Sequence, residues 1–341
     1  MSRQVVLTEA SLPGYLARAG LIRPGEPVAV EPLGDGNINW VRRLRTPSAS
    51  RVVKQARPAL ERFPQYSAPT ERIVFEARYG ETVAPFDTGG ICPRVFHFDP
   101  EQCVLVLEDL GDAERLDAAL ARGADVSAAA AALGAFLGRV HSATRDAGLG
   151  ARFGNDAMRG LHGDHVFLLP FRPNDFPLSP ALGRRAREIR SDAGLVARID
   201  AAHARYLEPR GALVHGDVQA ANVMLAASGP KLLDAEIAHV GDPAFDVGQL
   251  VAHLLLPWIA RGDARSGCRA VGAGWGAYVD AAGPPAPASF ADAAVHAGIE
   301  LLRRTLGAAR VAAVDRDEAG LAVVDAGARL VRAPPASPAE L

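Results

Sequence analysis

With 341 residues, the chain is long enough for two lobes or domains with sizeable cores. Its 37 Lys and Arg against 39 Asp and Glu give a formal net charge of −2, no electrostatic footprint for nucleic acid or an anionic membrane. Cys92, Cys103 and Cys268 lie far apart without CxxC spacing, which argues against a zinc site or disulfide framework and for a reducing compartment. The N-terminus has no signal-peptide pattern. The longest apolar run, 250–260, is broken by His253 and Pro257 and is too short to span a bilayer. A soluble, cytoplasmic protein is expected. All basic residues but Lys54 and Lys231 are Arg, which singles out the two lysines, because Arg and Lys are not equivalent at a tight phosphate site.

In chain order, residues 8–19 read as a short helix, and 28–33 and 38–44 as strands. The strands are joined by Gly34-Asp35-Gly36-Asn37, small residues whose backbone N–H groups can approach phosphates. The pattern is not GxxxxGK[ST] and lacks the third glycine of a dinucleotide fingerprint, so an ordinary hairpin turn is the other reading. Residues 51–55 form a β-rich run carrying Lys54. Ser67 or Thr70 can cap a helix with Pro69 in its first turn and an apolar face of Ile73, Val74 and Ala77. Arg72 and Glu76 share a side of that helix. Glu76 either reaches Lys54 or forms an exposed pair with Arg72. Residues 95–98 and 103–107 are the last strands of a first lobe, 1–110.

A second lobe, 111–332, reads as mainly helical, with helices at 126–147, 190–207, 247–259, 264–279, 290–311 and 316–331. Residues 167–171 and the proline-rich stretch to Pro180 read as irregular. Asp242 and Pro243 are an N-cap and N1 pair, and Asp246 in the first turn complements the helix dipole. The small, Pro-rich tail 333–341 is expected to be disordered.

The chemistry concentrates in residues 213–236. Leu213-Val214 leads into His215-Gly216-Asp217, Asn222 follows five residues after the aspartate, and Asp234-Ala235-Glu236 comes next. Residues 223–226 and 231–234 read as a hairpin with a four-residue loop, its mirror point between Ser228 and Gly229. Val223 then faces Asp234 and Asn222 faces Ala235. This gathers Asn222, Asp234 and Glu236 into a hard-oxygen site suited to Mg2+ on a nucleotide's phosphates. Asp217, on the loop entering that site, can take the proton of an attacking hydroxyl. A second copy, His162-Gly163-Asp164, has Leu169 where the Asn would be, no preceding apolar strand and no following hairpin, and reads as a loop.

The pattern HGDxxxxN…DxE resembles the aminoglycoside phosphotransferase and choline kinase superfamily. That implies an α+β, bilobal protein-kinase-like fold with an antiparallel N-terminal sheet plus a helix and a mainly helical C-terminal lobe. It also implies use of ATP and Mg2+. On this resemblance Lys54 points to the α/β-phosphates with Glu76 as its partner, and Glu108-Asp109-Leu110-Gly111 is similar to a hinge where the backbone at Glu108 and Leu110 meets adenine. His215 and Asp246 are structural supports of the catalytic loop.

Gly34-Asp35-Gly36-Asn37-Ile38-Asn39, Val52-Val53-Lys54-Gln55, Arg72 with Glu76, the Asp234/Glu236 pair and Glu300-Leu301-Leu302-Arg303-Arg304 resemble the methylthioribose kinases in particular. That likeness assigns Gly34, Asp35, Gly36, Asn37 and Asn39 to the nucleotide and Arg303 and Arg304 to the substrate. On their own the two arginines would read as a solvated helix face. The resemblance implies transfer to the 1-hydroxyl of the ribose, a small-molecule partner only, and a possible homodimer. Asn222 and Ala235 depart from it, since those kinases usually carry Ser and Pro there. Another kinase of the superfamily, acting on an aminoglycoside, choline-like or amino-alcohol substrate, is the alternative. A nucleotide-binding module without catalysis ranks last, because no catalytic position is lost.

Overall fold

The structure, a computed structural model, describes residues 4–34, 38–59 and 68–341. Ser67 and Asp35, Gly36 and Asn37 of the first turn lie outside the described residues. Two units divide the chain: Met1–Thr82 with Pro93–Gly111, and Val83–Cys92 with Asp112–Leu341.

In the first unit, β1 (Ala29–Pro32), β2 (Trp40–Arg45), β3 (Ser50–Gln55), β4 (Val95–Asp99) and β5 (Val104–Glu108) form an antiparallel sheet in the order β1-β2-β3-β5-β4. Successive side chains of a strand point to opposite faces. Val53 is therefore paired with Val106 on one face and Lys54 with Leu105 on the other. Val53, Val104 and Val106 share a core with Trp40, Leu44 and the α1 (Leu12–Arg18) residues Leu12, Tyr15 and Leu16. Leu105 shares the opposite core with Ala56 and with Ile73 and Ala77 of α2 (Arg72–Val83). Lys54 is thereby directed toward α2. The first helix is shorter than the expected 8–19, because Thr8 opens it as a turn whose carbonyl accepts from the Leu12 N–H at 2.9 Å.

The second unit is mainly helical. It comprises β6 (Glu114–Arg115), α3 (Leu116–Ala121), α4 (Ser127–Thr144), α5 (Asp156–Gly163), α6 (Pro180–Ser191), α7 (Ala193–Leu207), β7 (Ala212–Val214), β8 (Val223–Ala226), β9 (Gly229–Leu232), β10 (His239–Gly241), α8 (Pro243–Ala260), α9 (Ala264–Ala282), α10 (Phe290–Leu306) and α11 (Asp317–Arg332). Phe167, Tyr206, Phe245, Ile299 and Leu302 belong to one buried cluster that joins α7, α8 and α10. α8 is long and apolar enough to cross a membrane by length and composition, but 83% of it is buried inside the protein, the setting of a core helix.

Four expectations are corrected here. The helix expected at 190–207 is two helices, because Asp192 accepts from the Leu195 N–H at 2.9 Å and so caps α7 at a new start. The His162-Gly163-Asp164 copy is not a loop: it ends α5 and runs into a π-helical turn over Asp164–Leu168, which also takes in part of the stretch read as irregular. The hairpin has a two-residue loop, with Val223 opposite Leu232 and Ala226 opposite Gly229. The tail forms a 3-10 turn at Pro338–Glu340, tied by Glu340 to the Ala336 N–H at 2.9 Å, instead of lying without structure.

α4 and α9 approach closely at two glycines. A Cβ on Gly134 would sit 2.0 Å from the Gly274 carbonyl oxygen, so the helices cannot keep this spacing with any larger residue there. We predict that Gly134→Ala costs about 1–3 kcal/mol of stability, the usual range for forced overpacking. Urea denaturation measures it, and an unchanged midpoint would show that the contact is not tight.

Candidate active site

The loop after β7 is held by a complete set of backbone hydrogen bonds. Leu213 and Val214 are buried, and β7 pairs with β10 with Val214 opposite His239. Asp246, in the first turn of α8, accepts from the His215 N–H at 2.7 Å and the Gly216 N–H at 2.9 Å. The Asp217 N–H donates to His215 Nδ1 at 3.2 Å, and the Val218 N–H to Gln249 Oε1 at 2.8 Å. Every N–H from 215 to 218 thus has an acceptor, as buried backbone requires. Asp246 and Gln249 are three apart and so share one face of α8. Asp242 caps that helix by accepting from the Ala244 N–H at 2.9 Å. Gly216 has φ 83°, and a Cβ there would meet the Ile237 carbonyl at 2.8 Å, so the turn requires glycine.

Asp246 is wholly buried. Burial alone would raise its pKa, but hydrogen bonding and charge from His141, whose Nε2 lies 3.2 Å away, with His215 and the Gly216 N–H, hold it below the ordinary range. Burial pushes the His215 pKa below the usual imidazole value.

The loop delivers the Asp217 carboxylate in a defined orientation. Its Oδ2 accepts from Asn222 Nδ2 at 2.8 Å and Gln219 Nε2 at 2.7 Å. Its Oδ1 lies 4.0 Å from His162 Nε2. Gln219 Oε1 in turn accepts from Arg304 at 2.5 Å. Arg303 and Arg304 are both buried, which rules out the solvated-face reading, and both bond Glu300, at 2.9 and 2.6 Å. Glu300 also meets His253 Nε2 at 3.2 Å. Burial opposes its charge, yet the two guanidiniums and His253 hold its pKa well below the carboxylate range.

The metal candidates fall in the same unit, through a register other than the expected one. Asn222 faces Leu233, whose N–H donates to the Asn222 carbonyl at 2.8 Å, and Asp234 leaves the strand in the left-handed region at φ 65°. The two-residue shift keeps parity only as far as the strand runs, to Leu232; beyond it the left-handed Asp234 and the 3-10 turn Ala235–Ile237, and not strand alternation, place Asp234 and Glu236. Aspartate tolerates this conformation better than most residues, and such strain gathers at functional sites. Asn155 Nδ2 donates to the carbonyls of Glu236 and Ala238 at 2.8 and 3.2 Å and secures the following turn. Carboxylate oxygens of Asp234 and Glu236 come within 4.8 Å of each other. Two carboxylates are donors of the hard-oxygen type that Mg2+ takes, and Asn222, whose Nδ2 bonds Asp217, carries an amide oxygen of the same type.

In the first unit, Lys54 Nζ meets Glu76 at 2.7 Å, both residues buried. Arg72 is fully buried and bonds Asn39 Oδ1 at 2.8 Å and the Pro69 carbonyl at 2.8 Å, and Glu76 is buried as well, so neither residue is part of a solvent-exposed face. Gly34 has φ 68°. Glu108 Oε2 accepts from the Arg94 N–H at 3.2 Å, and Leu110 is half-buried beside Asp109, which accepts from Arg43 and Ser50.

Sequence reasoning missed Gln219, Gln249, Asn155 and His162. The i, i+3 spacing of Asp246 and Gln249 was a usable signal. Asn155 and His162 approach the loop from distant segments; the His-Gly copy marks His162 as a motif but not its approach to Asp217, and nothing local marks Asn155.

The chain matches the sequence model of the phosphotransferase enzyme family over residues 29–278. It is 28% identical to a methylthioribose kinase of Bacillus cereus (strain AH820), over 91% of this chain and 86% of that protein. It is 29% identical to a methylthioribose kinase of Cronobacter sakazakii (strain ATCC BAA-894), over 93% of this chain and 90% of that one. The solved choline kinase LicA from Streptococcus pneumoniae shares the fold with a TM-score of 0.55 at 14% identity, over 95% of this chain and 98% of that one.

Because the folded pKa of Asp246 is depressed, its contribution to stability is present above the unfolded carboxylate pKa of about 3.9 and is lost as pH falls through the lower folded value. Asp246→Asn should cost about 2 kcal/mol near neutral pH and flatten the loss of stability in acid. Urea titrations from about pH 6 to 3 test this. Parallel curves for native and variant would contradict it.

Proposed function

The chain belongs to the phosphotransferase enzyme family and is an ATP-dependent phosphotransferase with an alcohol group as acceptor, and from that premise we propose that the alcohol is a sugar hydroxyl, the 1-hydroxyl of a 5-methylthioribose-type substrate. One observation carries the choice of acceptor. Two buried guanidiniums, Arg303 and Arg304, share the single carboxylate of Glu300, and Arg304 is linked through Gln219 to Asp217. A cationic choline-like or aminoglycoside acceptor needs an excess of carboxylates, whereas a neutral polyhydroxyl is served by planar donors. The methylthioribose kinases among the relatives point the same way.

Oδ2 of Asp217 is occupied by Asn222 and Gln219, so Oδ1 is the oxygen that receives the acceptor's proton. As that proton moves to Oδ1, the acceptor oxygen bonds the γ-phosphorus and the bond from that phosphorus to the ADP leaving oxygen breaks. Lys54, kept in place by Glu76, holds phosphate oxygens, and Gly34, Asn39, Glu108 and Leu110 are assigned to the nucleotide. Asn222, Asp234 and Glu236 would hold Mg2+, which when bound neutralises phosphate charge. Positioning and charge neutralisation then supply most of the rate.

Incubating the protein with ATP and methylthioribose, ribose, choline or an aminoglycoside, with phosphorus NMR of the products, tests the reading. A sugar 1-phosphate is expected, and transfer to choline or the aminoglycoside alone would overturn it. Asp217→Asn should lower kcat by about 10²–10⁴ while ATP Kd stays near native. Arg303→Ala and Arg304→Ala should each lower kcat/KM for the sugar by about ten- to a hundred-fold with little change in ATP Kd. Native sugar kinetics in both arginine variants would remove them from the acceptor site.

A further inference from the structure

The second His-Gly copy brings a histidine to the catalytic carboxylate. His162 closes α5, is only 8% exposed, and stands between Tyr206 and Asp217. Its Nδ1 lies 3.2 Å from the Tyr206 hydroxyl. Its Nε2 is buried without a hydrogen-bond partner among the described residues and is directed at Asp217 Oδ1 across 4.0 Å. That distance is too long for a direct hydrogen bond. It does fit a single oxygen at about 2.8 Å from both atoms. The tautomer follows from the surroundings. A carboxylate oxygen facing the ring favours N–H on Nε2, which leaves Nδ1 to accept from the Tyr206 hydroxyl. The ring also feels the Arg303 charge, which together with burial keeps it neutral.

We propose that His162 is a specificity-determining residue for the acceptor, its Nε2–H donating to the same alcohol oxygen whose proton passes to Asp217 Oδ1. The inference rests on the reading of Asp217 Oδ1 as the base. His162 gives up no proton. It holds one lone pair of the acceptor oxygen while another forms the bond to the γ-phosphorus, and the phosphorus bond to the ADP oxygen breaks. An acceptor whose oxygen cannot sit at both atoms leaves a buried donor unpaired, and hydrogen-bonding sites reject such ligands strongly.

Two substitutions separate this role from a structural one. His162→Gln can keep an N–H near the Nε2 position, whereas His162→Asn keeps only a partner for Tyr206. The native protein and both variants are assayed for transfer from ATP to methylthioribose and ribose, for ATP hydrolysis without acceptor, for ATP Kd and for Tm. We expect His162→Asn to lower acceptor kcat/KM by at least about tenfold, mainly through KM, with ATP Kd unchanged. His162→Gln should restore most of that loss. In hydrolysis a water takes the acceptor's place, so the same order should hold: native, then Gln, then Asn. If the native protein phosphorylates neither sugar, the sugar reading fails, and the hydrolysis series still decides the role of His162. Native kinetics in His162→Asn, or equal losses in both variants that follow Tm, would overturn the proposal.

Discussion

A single buried carboxylate organises the second unit. Asp246 is removed from water, and an ion in that position is stable only if it is fully hydrogen-bonded. Its partners are the His215 and Gly216 N–H groups and His141. The carboxylate and the loop therefore stabilise each other, and neither is satisfied alone. The apolar surroundings make this exchange stronger than it would be at the surface. Because α8 presents Asp246 and Gln249 on one face, a core helix fixes the backbone of a surface-reaching loop. That support fixes the backbone, and the loop's own Asn222 and Gln219 then orient the Asp217 carboxylate by bonding its Oδ2.

The arginines extend the same logic. Two guanidiniums buried side by side on α10 would repel each other, and Glu300 offsets that by bonding both. The arrangement leaves planar donors in excess over acceptors, as at Arg303 Nε, which has no partner among the described residues. Gln219 couples this cluster to Asp217, so the group that would recognise the acceptor and the group that would accept its proton are held in one network.

Much of the fold was legible because its signals are local. The Asp242-Pro243 helix start, the strand with Lys54 and the helix with Glu76 follow from capping chemistry and periodicity. Alternation along β3 was enough to bring Lys54 to the side of α2, where it meets Glu76. The hairpin register was not legible. A four-residue loop at Ala227-Ser228-Gly229-Pro230 was as good a reading as the two-residue loop found, and the strand stops at Leu232, so a left-handed residue and a 3-10 turn place Asp234 and Glu236 instead of alternation. His162 failed for a different reason. The copy lacks the asparagine, strand and hairpin of a catalytic motif, and without them its sequence reads as a loop. Its histidine is instead held by Tyr206, 44 residues away in sequence, and such contacts leave no local pattern. Arg72 is similar: helical spacing suggested Glu76, while packing buried it against Asn39.

The central claim is that Asp217 presents one oxygen to the acceptor because the loop has already tied the other. A crystal structure with methylthioribose, Mg2+ and a non-hydrolysable ATP analogue examines it most directly. The account predicts the sugar 1-hydroxyl oxygen about 2.7 Å from Asp217 Oδ1, with Oδ2 still bonded to Asn222 and Gln219. A sugar hydroxyl bound at Oδ2, or a carboxylate turned away from Asn222, would contradict it.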